Sequence, residues 1–169
     1  MKKLFAIAIL GSLVFVSCEK TSSGGLLQAT INGTVTNLGT AATATTSGLT
    51  GLYTITIQGA TGTALSSGDF GISISSISPI VAGIYTDTVS VFGANLAELQ
   101  YIPSATVAGP VFGSASQKSH PTTVVVTSVS STQITGTFQG TIYAADDTAA
   151  ASTTITNGTF NMKLTAAIP

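Results

Sequence analysis

In several stretches between Leu26 and Leu164 apolar side chains alternate with threonine or serine, and short turn signals separate these stretches. A period of two places alternate side chains on opposite faces of a strand, so this pattern excludes an amphipathic helix and dictates half-buried β-strands. In "LYTITIQG" the set Tyr53, Ile55 and Ile57 faces inward, and in "FGISISSI" the set is Phe70, Ile72 and Ile74. "TDTVSVFG" and "LAELQYIP" predict shorter strands, the second stopped by Pro103. "PTTVVVTSVSSTQITGTFQGTIY" predicts the longest hairpin. On its second arm Ile134, Phe138 and Ile142 share a parity, and Gly136 and Gly140 permit a bend or a close sheet-to-sheet approach. Residues 103–121 are rich in breakers and read as irregular.

Two Asn-Gly pairs punctuate the pattern. Asn32-Gly33, in "LLQATINGTVTNL", predicts a two-residue hairpin. At Asn157-Gly158 the flanking Ile155 and Phe160 have opposite parity. Either a bulge in a continuous strand or a type I′ hairpin accommodates that, and the sequence leaves both open. Eight to ten short antiparallel strands in one all-β domain follow. They form a β-sandwich, or alternatively a closed barrel.

The chain of 169 residues suits one domain behind an N-terminal leader. Lys2 and Lys3 precede an apolar run, Leu4 to Val16, that is too short for a bilayer core of ~30 Å and reads as a secretory signal. The run ends in Phe15-Val16-Ser17-Cys18, with the chain's one cysteine, and this resembles a bacterial lipoprotein lipobox. The resemblance implies that residues 1–17 are removed, that Cys18 is lipidated, and that 18–25 tether the domain formed by 26–169. Removing 1–17 leaves three lysines against six carboxylates, a net charge of −3, so a basic membrane-binding patch is absent and the anchor is the lipid.

"ATING" (Ala29 to Gly33), "GTFQGTIY" (Gly136 to Tyr143) and "TITNGTFNMKL" (Thr154 to Leu164), together with the lipobox, resemble a group of uncharacterised Bacteroidota lipoproteins. The resemblance supplies no catalytic residues. It places the protein in the cell envelope, lipid-anchored in the outer membrane, without choosing the periplasmic or the surface face.

The chemistry-bearing residues are few. With five lysines, no arginine and a net charge of −1, the chain has no basic stripe for nucleic acid. A single histidine, His120, excludes a multi-histidine metal site, and a single cysteine excludes an internal disulfide. Asp146-Asp147 reads as a solvated loop tip, and Asp69-Phe70-Gly71 as a turn into a strand. The aromatic residues read as core. The sequence thus predicts no catalytic residue, cofactor or metal. Asp87-Thr88-Val89 and Asp147-Thr148-Ala149 resemble the short Asp-Thr-aliphatic motif of O-glycosylation in Bacteroidota, which marks Thr88 and Thr148 as modification candidates, Thr148 the stronger. The function expected is that of a non-enzymatic binding or structural module of the envelope with an unidentified protein or glycan partner. The alternative is a small-ligand or glycan-binding lipoprotein of a surface uptake system.

Overall fold

The protein is described by a computed structural model covering residues 25–39, 43–49, 51–62, 67–87, 95–104, 111–114, 121–144 and 152–165. Among these residues there are eleven strands and no helix. They are β1 (Leu26–Ile31), β2 (Thr34–Asn37), β3 (Thr43–Leu49), β4 (Leu52–Ala60), β5 (Asp69–Ser76), β6 (Gly83–Thr86), β7 (Leu96–Ile102), β8 (Phe112–Gly113), β9 (Thr123–Val129), β10 (Gln133–Ala144) and β11 (Ser152–Lys163).

All eleven belong to one sheet with the order β2-β1-β11-β10-β9-β6-β7-β5-β4-β3. Neighbours are antiparallel except β6 and β7, which meet in parallel at Thr86 and Leu96. The two-residue β8 pairs with β10 on one side and β7 on the other, so β10, β9, β6, β7 and β8 form a closed five-strand ring to which the remaining strands are added. A bridge between Ala44 and Leu164 ties β3 to the residue after β11, and another joins Gly39 to Ala60. The all-β class therefore holds, and the sheet covers its apolar face by closing on itself, as in the barrel arrangement. β8 is the element that makes the ring, and it lies inside the stretch expected to be irregular.

The alternation in sequence becomes alternation in burial. Ile55 and Ile57 of β4, Phe70, Ile72 and Ile74 of β5, and Ile134, Phe138 and Ile142 of β10 all enter one core, with Tyr53 packed at its border. The Asn32-Gly33 turn joins β1 to β2 with both residues at positive φ, 48° and 81°, the conformation a type I′ hairpin requires. At Asn157-Gly158 the chain takes the bulge. β11 runs through without turning back, Asn157 sits at φ 51°, and the register slips by one residue there against both β10 and β1. The slip lets Thr153 and Ile155 before it, and Gly158, Phe160 and Met162 after it, all face inward.

The glycines of β10 admit close neighbours from β9 and β11 of the same sheet and from the residue before β9, and not from a second sheet. A Cβ on Gly136 would strike the Val125 carbonyl oxygen and the Phe160 ring, and one on Gly140 would lie 2.8 Å from Thr122 Cα. Of the strand expected over "TDTVSVFG", Thr86 closes β6 and Asp87 is a turn, and 88–93 lie outside the described residues. β6 starts earlier than expected, at Gly83, where it pairs with Val126 of β9.

Candidate functional site

The interior is filled by rings. Phe112, Tyr101, Phe70, Phe138 and Phe160 follow one another with centroid separations of 6.5, 6.4, 5.3 and 6.4 Å. These are the spacings of tilted and offset aromatic contacts. Tyr85 is buried beside them, and its hydroxyl is satisfied within the protein: it donates to Val81 O at 2.9 Å and accepts from Val81 N at 3.1 Å. Aromatic side chains thus form a continuous row through the core.

The buried polar groups gather where β6 and β8 stop and β9 begins. Asp87, 3% exposed, accepts a 3.0 Å hydrogen bond from Thr122 N at Oδ1, and its own N–H donates to Thr122 O at 3.4 Å. Thr122 and Ser114 share a hydroxyl–hydroxyl bond of 2.9 Å, and Ser114 Oγ accepts from Leu99 N at 2.8 Å. Asp87 Oδ2 is buried with no hydrogen-bond partner. Beside this group, Glu98 keeps part of its side chain at the surface, but burial of its carboxyl raises its pKa above the ordinary value of 4.5, and the charge of Asp87 adds to the rise. Burial also raises Tyr101.

Chemically this network fastens strands. Among the described residues the carboxylate holds a backbone N–H, and the two hydroxyls meet each other and the backbone. Among the described residues no group of three or more His, Cys, Asp or Glu side chains is placed to hold a metal ion.

A shallow groove of about 480 Å³ lies on the outside, lined by Leu26, Thr132, Gln133, Asn161 and Lys163. Its two amides are tied to each other, Gln133 Nε2 donating to Asn161 Oδ1 at 2.6 Å.

Of the residues singled out in the sequence, Cys18, Thr88, Thr148, His120 and Asp146-Asp147 lie outside the described residues. The motif containing Thr88 begins with Asp87, which is buried and engaged with Thr122. The sequence reading missed that role, although Asp87 shares the parity of Tyr85, which was itself readable as core. No helix among the described residues is long and apolar enough to cross a membrane. Compared with known protein families, curated proteins and solved structures, the chain matches none.

Proposed function

We propose that the chain is a lipid-anchored protein of the bacterial cell envelope, held in the outer membrane through Cys18, whose closed β-domain is a non-enzymatic binding or structural module. The observation that carries the second half is the aromatic row from Phe112 to Phe160. Among the described residues it packs the core, which supports recognition at the outer surface. The outer groove supports no stronger ligand reading, because its amides bond each other.

The anchor rests on the lipobox at Phe15-Val16-Ser17-Cys18 and on the scarcity of positive charge elsewhere. Cells expressing the wild type and Cys18→Ala are labelled with a radioactive fatty acid and fractionated. Label and membrane association are expected in the wild type only. Equal labelling in the two removes the reading.

A further inference from the structure

Among the described residues, five of the six exposed large apolar side chains stand toward one end of the barrel. The antiparallel registers bring the starts of β1, β4, β6 and β10 to the same end as the finishes of β5, β9 and β11. Leu26 opens β1, Leu52 opens β4, Ile77 follows β5, Val81 precedes β6 and Ile84 lies one residue inside it, each between 40% and 63% exposed.

The segment that presents Ile77 and Val81 is held stiffly. Ser78 N donates to Ser76 Oγ at 3.2 Å, Tyr85 OH grips both backbone groups of Val81, and Ile80 is buried beneath. Apolar side chains fixed outward on a hydrogen-bonded loop are ready for an apolar environment without further ordering.

Charge divides along the same direction. Lys163, the one lysine among the described residues, ends β11 at this end. Asp69 starts β5 at the other end, while Asp87 and Glu98 stand partway along the wall.

We propose that the end bearing Leu52, Ile77, Val81 and Lys163 lies against the lipid bilayer that holds the anchor, the apolar side chains entering the headgroup boundary and Lys163 facing lipid phosphates. The inference rests on the lipid-anchor reading. Cys18 lies seven positions before Gly25, and a chain of that length spans at most about 25 Å. Gly25 sits against Met162 near the finish of β11. The run of β11 from Met162 to Ser152 is about 33 Å, longer than the tether, so Cys18 cannot reach the far end of β11. An interfacial apolar surface then acts with the acyl chains as a second signal and fixes orientation as well as attachment.

The full acylated chain carries a single introduced cysteine, Ile77→Cys, Val81→Cys or Thr34→Cys, labelled with bimane. It is reconstituted in phosphatidylethanolamine–phosphatidylglycerol vesicles containing brominated acyl chains. Quenching at 77 and 81 is expected to exceed that at 34, on the opposite end, by at least twofold. Equal quenching at the three positions, or stronger quenching at 34, overturns the proposal. So does a blue shift at 77 and 81 that needs no vesicles and grows with protein concentration, which identifies a second copy as the occupant. The intact mass of the same samples reads the anchor separately. If Cys18 carries no acyl group, preferential quenching at 77 and 81 upholds the surface while the anchor fails, and no quenching sinks both.

Discussion

Asn32 and Thr154, 122 positions apart in sequence, exchange two hydrogen bonds of 2.9 Å. Asn32 N donates to Thr154 O, and Thr154 N donates to the side-chain Oδ1 of Asn32. The turn residue thus both reverses β1 into β2 and fastens that hairpin to β11.

Asn32→Ala should lower unfolding free energy by about 1–2 kcal/mol, since it removes the bond to Thr154 and places a less tolerant residue at positive φ. Asn32→Gly, which keeps the backbone free to adopt that φ, should lose less. Urea denaturation of the three proteins checks the order, and equal losses would mean that the side-chain bond contributes everything.

Phe138 sits in the middle of the aromatic row and Gly136 lies two residues before it on the same face. Phe138→Ala should cost roughly 3–5 kcal/mol through lost burial and a cavity. Gly136→Ala should cost about 1–3 kcal/mol by overpacking against Val125 and Phe160. Thr137→Ala, on the outer face, should cost under about 1 kcal/mol. A thermal or denaturant series in which Thr137→Ala matches Phe138→Ala would reverse the assigned faces.

Asp87 is expected to be a fastening residue. Asp87→Ala leaves the Thr122 N–H without its acceptor and should destabilise by about 1–3 kcal/mol. Asp87→Asn retains an oxygen for that bond and should be milder. Should the asparagine variant unfold as readily as the alanine variant, the carboxylate charge, and not the hydrogen bond, carries the effect.

Glu98 gives a pH dependence with a definite sign. Its pKa is raised in the folded state by burial and by Asp87, so the folded protein holds the proton more tightly than the unfolded chain. Stability from this group is full below the unfolded value and is lost as pH rises through the folded one. Glu98→Gln should therefore raise Tm at pH 7 and show little effect at pH 3. The increment should be modest, because part of the side chain remains in water. A variant whose Tm difference from wild type is the same at both pH values would contradict the assignment.

The strands that alternate cleanly were readable because burial on one face imposes a period of two, and Ile55, Ile72 and Ile134 follow it without exception. Parity alone revealed an extra residue near Asn157-Gly158, but a hairpin and a bulge absorb one residue equally well. The choice came from partners, since β11 must stay continuous to pair with both β1 and β10. Phe112-Gly113 carries no strand signal among its neighbouring breakers. It pairs because β10 and β7 bracket it, which is a property of the closed sheet. Asp87 was legible only as a carboxylate in a short motif, because nothing local announces a hydrogen bond to Thr122, 35 positions away.

The closure made by β8, and the ties from Ala44 to Leu164 and Thr165, bear on how copies of this protein live beside one another. With charged residues at 7% of the chain, electrostatic repulsion between neighbours is weak, and a Thr- and Ile-rich sheet with long open edges would recruit its own kind strand by strand. Here the sheet order ends on one side in β2, only four residues long, and the other end is partly tied down at β3. The hydrogen-bond connectivity thus leaves little open edge for such pairing, and cutting the link at Phe112-Gly113 is expected to lower solubility as well as stability.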